Sequence, residues 1–360
     1  MAGAVDPRDA AAAFCRDAGT CRVEPLGYGN INDTFAVHGA AGTFVLQKIN
    51  GRVFPEPLKV IHNFQKITSH LLGRQQEHGR IFQTAQSVRT LHGELFHRDP
   101  EGDYWRAQTY LAGTPCRALS GTEQVARAGR ALALFHLLSA DLDVAGLEDP
   151  LPGFHNLPGY MEEFERVLTH HRLVMDEEYD YCLAVLDRVG PQMSVLEDAK
   201  QAGILAIQPI HGDPKIDNFI FSGGGEADGM LDFDTVGAGL IHYDLGDCLR
   251  SCCNRAGEKG PDPSAVSLDL EYCRLFLQGY FSSAPHLLRE AQRDFIYEAV
   301  LLIAFELGVR FFTDHLRGNT YFKVAHDREN LLRAIRQFRL VDDIAGKEKK
   351  IRLLVSESSR

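Results

Sequence analysis

The sequence predicts an α+β protein with two unequal lobes, a small β-rich N-terminal lobe followed by a larger, mainly helical C-terminal lobe. Short runs of β-branched and aromatic residues separated by glycines dominate about the first 110 residues. Beyond them, apolar residues recur mainly at the three- and four-residue spacing of amphipathic helices. No unit of about 20–50 residues repeats, which excludes a solenoid. We therefore expect lobes over residues 1–110 and 111–360.

The composition is typical of a globular protein and narrows the classes of partner. The chain of 360 residues is 44% hydrophobic and 24% charged, with a formal net charge of -11. This acidic balance disfavours nucleic-acid binding, and no apolar run approaches the about 20 residues that a membrane-spanning helix needs. Because the N-terminus has no apolar stretch of secretory length, we expect a cytoplasmic protein with reduced cysteines. We also expect either a monomer or a homodimer.

The N-terminal lobe begins with a segment of about 20 residues that favours a helix. Three strands are expected between residues 21 and 49, where Val, Ile and Phe recur between glycine turns. Pro55 and Pro57 then open a predicted helix, because apolar residues follow at helical spacing. Two further strands, near residues 92–97 and 104–111, complete the lobe.

The C-terminal lobe is expected to be helical around one island of short strands. The patterns predict helices over 122–138, 158–189 with a break near 175, 268–316 and 326–340, and strands and turns over 204–250. The charged tail after residue 345 is expected to be loosely held. Cys248, Cys252 and Cys253 are expected to pack inside a helix, because no Cys-x-x-Cys knuckle or fourth metal ligand accompanies them.

The segment 210–250 carries the pattern that is most informative about chemistry. The string HGD ends at Asp213, and Asn218 comes five residues later. A predicted hairpin over 219–232 then brings Asp232 to the same place. Phosphoryl transfer from ATP requires a carboxylate that accepts the proton of the acceptor, and an amide and a second carboxylate that hold Mg²⁺. This spacing therefore predicts a kinase.

The acidic residues of this segment also have ordinary structural explanations. Asp213 and Asp232 would otherwise cap a turn or the end of a strand. Asp234 either supports Asp232 or is a solvated surface charge. Asp244 and Asp247 are expected to brace the loop or to cap the following helix.

The strings HGDxxxxN, LDFD and YDLGD together resemble the aminoglycoside phosphotransferase and choline kinase-like superfamily. Three longer strings, TFVLQKIN, LDFDTVGAGLIHYDLGDCLRSCCN and ELGVRFFTDHLRGNTYFKV, are most similar to its N-acetylhexosamine 1-kinase branch. The resemblance spans about residues 25–338. It implies a protein-kinase-like two-lobed fold, ATP and Mg²⁺ as cofactors, and phosphorylation of the anomeric hydroxyl of GlcNAc or GalNAc.

The resemblance also implies roles for the residues of the loop. Asp213 would be the catalytic base, Asn218 a metal ligand and Asp232 the principal Mg²⁺ ligand. Lys215 lies two residues after the base, where its ammonium would meet the transferred phosphate. Alternatively, Lys215 is a solvated loop lysine.

The N-terminal lobe is expected to bind the nucleotide. Gly27, Gly29 and Asn30 fit a phosphate-covering turn between two strands, although any tight hairpin also favours glycine. Lys48 ends the third strand, at the position of the kinase lysine that meets the α- and β-phosphates. Gln47 points to the opposite face of this strand and is the alternative.

The expected nucleotide site departs from the kinase pattern in one respect. The helix after Pro57 carries no glutamate that would pair with Lys48. Either Asn63 replaces the glutamate through a hydrogen bond, or the lysine assignment is wrong. Thr109 and Leu111, where a strand leaves for the next lobe, are expected to contact adenine through their backbone.

Arg310, Tyr321 and His155 are predicted to bind the acceptor. A neutral sugar is held by planar polar donors and aromatic faces, which an arginine on a late helix and a tyrosine supply. In the alternative, Arg310 pairs with an acid such as Asp314 at helical spacing, Tyr321 packs the lobe and His155 caps the next helix.

We therefore predict a kinase that transfers phosphate from ATP to an N-acetylhexosamine. One alternative is the same enzyme class acting on an aminoglycoside, choline, homoserine or another sugar. A second alternative is a catalytically inactive nucleotide-binding protein, which the missing helix glutamate would favour. The sequence contains no P-loop, zinc-protease or Rossmann motif.

Overall fold

The computed structural model describes residues 5–16, 21–26, 31–79, 81–111, 114–116, 119, 121–170, 176–222, 228–257 and 265–359. Its strands are β1 (Arg22–Pro25), β2 (Asp33–Gly39), β3 (Gly42–Lys48), β4 (Ser87–Val88), β5 (His97–Arg98), β6 (Tyr104–Thr109), β7 (Thr114–Pro115), β8 (Gln208–Ile210), β9 (Phe219–Phe221), β10 (Gly229–Met230) and β11 (Gly237–Gly239). Its helices are α1 (Pro7–Ala11), α2 (Pro57–His78), α3 (Thr122–Ser139), α4 (Leu157–His170), α5 (Glu177–Val189), α6 (Val195–Gln201), α7 (Ile241–Cys252), α8 (Leu270–Ser283), α9 (Glu290–Arg293), α10 (Ile296–Leu316), α11 (Glu329–Gly346) and α12 (Glu348–Ser358).

One antiparallel sheet organises the N-terminal lobe. Its strand order is β1-β2-β3-β6-β4, and β5 also pairs with β6. Phe35 of β2, Leu46 of β3 and Ala107 of β6 lie side by side in the register. These residues pack with Phe14 and Trp105 in a small core that also includes α1. The three strands predicted between residues 21 and 49 are confirmed.

Helix α2 connects this lobe to the rest of the molecule. It begins at Pro57, as predicted, because the first turn of a helix needs no donor from the proline nitrogen. Phe64, Ile67 and Leu71 are buried in the same core as the helices of the C-terminal lobe. The helix ends at Gly79, which adopts the left-handed conformation with φ 59°.

The C-terminal lobe is built from helices that pack very closely. α10 is buried along most of its length and packs against α4, α7 and α11. Where α3 and α8 cross, a Cβ on Gly129 would lie 2.1 Å from the carbonyl oxygen of Phe276. A Cβ on Gly279 would lie 2.1 Å from the carbonyl oxygen of Ala126. The two glycines therefore allow these helix backbones to touch.

Several segments differ from the sequence-based expectation. The strand expected near residues 92–97 is reduced to the two residues of β5, and the residues before it form turns. Residues 241–250, expected among strands and turns, belong to α7, whose buried polar residues gave it the pattern of a loop. The tail, expected to be loosely held, forms α12, because Ile351 and Val355 are buried on the same face one helical turn apart. The first helix is shorter than expected, and β4 is too short to leave a pattern in the sequence.

The predicted α+β architecture with two lobes is confirmed. None of the eight cysteines is in a disulfide, and Cys248, Cys252 and Cys253 are buried in or beside α7, as expected. Among the described residues, no helix combines the length and the apolar character needed to cross a bilayer.

Candidate active site

One buried carboxylate holds the loop that carries Asp213. The side chain of Asp244 on α7 accepts hydrogen bonds from the backbone N–H groups of His211, at 2.7 Å, and Gly212, at 2.8 Å. The Nε2 atom of His136 on α3 lies 2.9 Å from the same carboxylate. Burial would raise the pKa of Asp244, but these partners, above all His136, lower it. The prediction that Asp244 braces the loop is confirmed.

Gly212 stands where protein kinases carry the arginine of HRD, and the backbone explains the difference. Its φ is +85°, which disfavours any residue with a side chain. A Cβ at this position would also lie 2.7 Å from the carbonyl oxygen of Thr235. The loop therefore packs against the turn Phe233–Thr235 more closely than an arginine would allow.

Asp213 forms an ion pair with Lys215. Burial alone would raise the pKa of Asp213, but the Lys215 ammonium and the nearby His211 outweigh it and hold the pKa below its ordinary range. The carboxylate is therefore ionised near neutral pH, which is the state that a general base requires. Lys215 is half-buried beside this carboxylate rather than extended into solvent.

Asn218 and Asp232 lie beside Asp213. The side-chain amide of Asn218 donates a hydrogen bond to the carbonyl oxygen of Asp213 at 2.7 Å. The backbone carbonyl oxygen of Asn218 accepts a hydrogen bond from the N–H of Leu231 at 2.8 Å. This bond places Asp232, the residue after Leu231, next to Asn218. The pairing of β9 with β10 confirms the predicted hairpin. Asp232 adopts φ 62°, a conformation that is uncommon outside glycine and often marks a functional position.

The oxygen atoms of Asn218 and Asp232 fit a hard divalent cation. Asp232 is exposed to solvent. The protein atoms that crowd its carboxylate and the nearby Asp234 nevertheless raise its pKa to about 7, with Lys215 acting in the opposite direction. A cation would favour the ionised form. The described residues contain no group of three or more His, Cys, Asp or Glu side chains that could hold a metal ion.

Asp234 is not a surface charge. Its side chain is buried and pairs with Arg106 of β6, which is buried as well. Asn32 donates a hydrogen bond to the same carboxylate. The side-chain oxygen of Gln47 on β3 accepts from the Arg106 Nη2 atom at 2.8 Å. Gln47, Arg106 and Asp234 thus form a buried bridge between the two lobes, which we call the interlobe bridge.

Lys48 points away from the interlobe bridge. Its ammonium pairs with Asp103 and lies 5.9 Å from the centroid of the Trp105 ring. Because neighbouring residues of a strand face opposite sides, Gln47 occupies the side that Lys48 does not. Asn63 donates to two backbone carbonyls of the C-terminal lobe, and not to Lys48. The role of Lys48 at the phosphates stays a prediction, and these contacts favour the alternative strand face.

The other residues predicted to bind the nucleotide are only partly described. The backbone N–H of Thr109 donates to the carbonyl oxygen of Gln86 at 2.8 Å and is therefore not available to adenine. Leu111 is half-buried and packs against the core of the C-terminal lobe. The residues of the predicted phosphate-covering turn lie outside the described residues: Gly27, Gly29 and Asn30.

A cavity of about 460 Å³ brings together the residues predicted for catalysis and for the acceptor. Asp213, Lys215, His155, Arg310 and Tyr321 all line it. Asp213 and Lys215 were predicted from the loop motif, whereas the other three come from earlier or later parts of the chain. The volume is within the range of pockets that bind small molecules. We call this cavity the acceptor cavity.

The turn that presents Tyr321 is held by Asp314. The carboxylate of Asp314 accepts from the backbone N–H groups of Thr320, at 2.9 Å, Tyr321, at 2.8 Å, and Phe322, at 3.0 Å. Asp314 is therefore not the partner of Arg310, and the acid that lies at helical spacing from Arg310 is Glu306. Tyr321 is 39% exposed, so it does not pack in the core either.

The guanidinium group of Arg310 lies among aromatic rings. It is 5.1 Å from the ring centroids of both Phe154 and Tyr160. Its Nη1 atom lies 3.8 Å from Glu306, one turn earlier on α10. Burial would lower the pKa of Arg310, but its neighbours raise it, so the side chain stays charged.

His155 connects the acceptor cavity to the loop of Asp213. Its Nε2 donates to the carbonyl oxygen of Gly212 at 2.8 Å, and its Nδ1 lies 3.2 Å from Glu306. The ring stacks on Tyr243 with a centroid distance of 4.9 Å. Burial would lower the pKa of His155, but Glu306 outweighs it and raises the pKa. The side chain is thus a buried link and not a helix cap.

Sequence reasoning missed three charged residues of the site: Arg106, Glu306 and Arg333. The sequence could have indicated Glu306, because it is a lone carboxylate in the apolar run of α10, and such a residue is rarely buried without a partner. Nothing in the sequence indicated Arg106 or Arg333, since β6 and α11 both carry other arginines or polar residues in neighbouring positions. Only the packing of the lobes selects these two.

Several known structures share the fold of this chain. An aminoglycoside phosphotransferase from Alicyclobacillus acidocaldarius subsp. acidocaldarius DSM 446 has a TM-score of 0.64 and 14% identity over 98% of each chain. A microcompartment-associated aminopropanol kinase has a TM-score of 0.64 and 18% identity, again over 98% of each chain. The amicoumacin kinase hAmiN, in complex with AMP-PNP, Ca²⁺ and Ami, has a TM-score of 0.54 and 14% identity over 93% of this chain and 88% of that one. At these identities the likeness establishes the fold, which is that of small-molecule kinases.

The family follows from the sequence itself. The model of the phosphotransferase enzyme family, APH, matches residues 22–285, well over half of the chain. The chain therefore belongs to the phosphotransferase enzyme family. The predicted superfamily and the predicted class of enzyme, a small-molecule phosphotransferase, are confirmed.

Proposed function

We propose that this phosphotransferase is an ATP- and Mg²⁺-dependent kinase that phosphorylates the anomeric hydroxyl of an N-acetylhexosamine, GlcNAc or GalNAc. The observation that supports it most is that Asp213 opens into the same cavity as Arg310 and Tyr321. A base and the side chains that bind the acceptor must share one cavity, because the base has to reach the hydroxyl of the bound acceptor.

Asp213 would act as the general base. Its carboxylate is ionised and accepts the proton of the acceptor hydroxyl as that oxygen attacks in line. Lys215, paired with Asp213 in the free protein, carries the charge that would stabilise the transferred phosphoryl group. His155 holds the backbone of the loop through the carbonyl oxygen of Gly212 and so keeps the base in position.

Separate sets of residues would bind the nucleotide and the metal ion. ATP with Mg²⁺ supplies the phosphoryl group, and Asn218 and Asp232 would hold the cation. The lobe over residues 1–110 would clamp the nucleotide, and the lobe over residues 111–360 would carry catalysis and the acceptor. The nucleotide residues proposed in the first lobe and at its end are Gly27, Gly29, Asn30, Lys48, Thr109 and Leu111. In this proposal Lys48 would have to leave Asp103, and Thr109 would contact adenine through a group other than its backbone N–H. We propose a cytoplasmic monomer or homodimer.

The acceptor cavity argues against a cationic acceptor such as choline or an aminoglycoside. Such a ligand calls for several unpaired carboxylates or an aromatic cage. Here Arg310 and Arg333 both line the cavity, and Glu306 is already engaged by His155 and Arg310. Aromatic rings line the cavity as well, but Phe154, Phe311 and Phe322 already contact these two guanidinium groups. The interlobe bridge also weakens the case for an inactive protein, because it joins the lobes without the helix glutamate of protein kinases.

The proposal is tested by ADP release with ATP and Mg²⁺ in the presence of GlcNAc, GalNAc, glucose, galactose, kanamycin, choline or homoserine. Asp213→Asn is assayed beside the wild type, and Asp180→Asn, on the exposed face of α5, is the matched control. We expect turnover with the N-acetylhexosamines, a loss of about 10³-fold or more in Asp213→Asn, and no change in the control.

Three outcomes would contradict parts of the proposal. Activity retained in a folded Asp213→Asn protein would exclude this residue as the base. Turnover only with kanamycin or choline would keep the kinase and overturn the sugar acceptor. ATP binding without turnover on any acceptor would favour an inactive nucleotide-binding protein.

A further inference from the structure

The lining of the acceptor cavity includes five Lys or Arg side chains and four carboxylates, those of Asp213, Asp217, Asp247 and Glu306. Glu306 is the carboxylate next to Arg310, and it is shared, because it lies 3.2 Å from His155 Nδ1 and 3.8 Å from Arg310 Nη1. Asp314, on the same helix, is already engaged by three backbone N–H groups and by the side chain of Asn330.

A second guanidinium group in the cavity has no carboxylate partner. Arg333 on α11 is 5% exposed and lines the acceptor cavity. Within the described part of the chain it forms no ion pair, and its one hydrogen bond runs from Nη1 to the side-chain oxygen of Asn330 at 3.3 Å. Its Nε atom is buried without a hydrogen-bond partner. The N–H groups of this guanidinium are therefore largely unused.

Aromatic rings compensate only part of this buried charge. The Arg333 guanidinium lies 4.5 Å from the ring centroid of Phe311 and 5.8 Å from that of Phe322. Arg310 lies 5.7 Å from the same Phe322 ring, so one ring contacts both guanidinium groups. A cation–π contact is weaker than the hydration that a buried guanidinium loses, and buried charges are normally paired.

We propose that the acceptor carries a carboxylate, remote from the hydroxyl that is phosphorylated, and that Arg333 binds this carboxylate with the help of Arg310. The inference rests on the proposed kinase activity and specifies its substrate class as an acidic sugar. A guanidinium fork matches a carboxylate in geometry and charge and would form two parallel hydrogen bonds with it.

A neutral acceptor explains the cavity less well. A sugar hydroxyl or an acetamido oxygen would accept a hydrogen bond from Arg333, but it would leave the buried charge of Arg333 uncompensated. A carboxylate would accept hydrogen bonds from the unused N–H groups of Arg333 and would also neutralise its buried charge. The lysine and the other arginines of the cavity already have partners: Lys215 with Asp213, Arg250 with Asp247 and Arg255 with Asp269.

The test compares acceptors that differ only in the acidic group. The pairs are GlcNAc with its 3-O-lactyl ether (N-acetylmuramic acid), glucose with glucuronic acid, and galactose with galacturonic acid. GlcNAc 6-sulfate shows whether another anion replaces the carboxylate. The variants are Arg333→Gln, Arg333→Lys and, as the control, Arg336→Gln. Arg336 lies one helical turn further on α11, also has an unpartnered Nε atom, and does not line the cavity.

The readout is the ratio of kcat/KM for the acidic sugar to kcat/KM for its neutral counterpart. This ratio is measured on one preparation, so a partly unfolded variant does not distort it. We expect the wild type to prefer at least one acidic sugar, and Arg333→Gln to lower the ratio about 10- to 100-fold, the worth of a hydrogen-bonded charge. Arg333→Lys should lie between the two, and Arg336→Gln should equal the wild type.

The inference and the proposed function fail in different ways. Turnover of GlcNAc at least as fast as that of every acidic sugar, with a ratio unchanged in Arg333→Gln, would overturn the inference and leave the kinase intact. Absence of turnover on all sugars would contradict the proposed function. In that case calorimetric titration with the acidic and neutral sugars decides the inference: it stands if the acidic sugar binds more tightly and Arg333→Gln removes the difference, and it falls if the two bind alike.

Discussion

At the scale of single residues, backbone geometry limits which side chains the loop of Asp213 accepts. Gly212 combines a φ of +85° with a neighbouring backbone oxygen that leaves no room for a Cβ. Its N–H and its carbonyl oxygen are both used, by Asp244 and by His155 respectively. The position of Asp213, the proposed base, therefore depends on Gly212 and on two residues that hold it, Asp244 and His155.

Gly212→Ala is expected to destabilise the protein far more than Gly93→Ala. Gly93 has almost the same φ, +87°, but nothing lies within 4 Å of its ideal Cβ, so this variant carries only the cost of the left-handed backbone, about 1–2 kcal/mol. Gly212→Ala adds a clash with the Thr235 carbonyl, which should cost roughly another 1–3 kcal/mol. Denaturant unfolding of both variants measures the difference, and equal losses would show that the loop relaxes freely.

A buried histidine gives the protein a predictable response to acid. The Nε2 of His242 on α7 donates to the carbonyl oxygen of Gln292 at 2.7 Å. Burial lowers the pKa of His242 to about 4, well below the ordinary value of about 6.5. Between these two values the unfolded chain binds a proton that the folded chain does not, so stability is present above pH 6.5 and falls as the pH drops towards 4.

His242→Gln is expected to reduce this pH dependence. The limiting slope for one proton is about 1.4 kcal/mol per pH unit, and the variant should lose up to that much of the slope between about pH 5 and 6.5. The measurement is the free energy of unfolding at several pH values for both proteins. Parallel curves would mean that His242 is protonated in the folded state as well.

At the scale of elements, the position of a strand or helix in the fold decides the role of its residues. The alternation along β3 predicts that Gln47 and Lys48 face opposite sides. It does not predict which side faces the C-terminal lobe, because both sides of this strand are covered. The burial of α12 could not be predicted from its sequence either, because most of its residues are polar or charged and only Ile351 and Val355 are buried.

Ile351→Ala is expected to cost about 2–4 kcal/mol of stability, because it removes a side chain that is 2% exposed. Leu353→Ala on the same helix is the control: this leucine is 56% exposed, and its loss should change stability by less than about 0.5 kcal/mol. Thermal and denaturant unfolding of the two variants give the comparison. A negligible effect of both would mean that α12 is loosely held after all.

At the scale of the whole molecule, the two lobes share packing and charge. The inner face of α2 lies in the core of the C-terminal lobe, and the interlobe bridge adds a buried ion pair between Arg106 and Asp234. Asn63 adds hydrogen bonds to the backbone of the C-terminal lobe. We therefore expect the lobes to unfold together.

Trp105 provides the test, because it is the only tryptophan and is buried in the N-terminal lobe. Its fluorescence reports that lobe, whereas far-ultraviolet circular dichroism reports mainly the helices of the other. In the wild type the two denaturation curves should coincide. Asp234→Asn leaves the Arg106 charge without its partner, which should cost about 3–5 kcal/mol and separate the curves. Separate curves in the wild type would contradict a shared unfolding unit.

The sequence by itself determined the parts of this protein that depend on local spacing. The strands between residues 21 and 49, helix α2 and the hairpin before Asp232 follow from periodicity and turn residues. The set of Asp213, Asn218 and Asp232 follows from a spacing that phosphoryl transfer requires, and the family match supports the same class of enzyme. Each of these features involves residues within about 30 positions of each other, so a single stretch of chain encodes it.

Only the tertiary structure decided which distant residues meet. Asp234 pairs with Arg106 across the lobes, and Asp314 holds a turn instead of Arg310. Arg333 lines the acceptor cavity without a carboxylate, although nothing distinguishes it from the other arginines of its helix in the sequence. The physical reason is that burial and pairing of a charge depend on what the packed helices bring next to it, and periodicity along one helix does not contain that information.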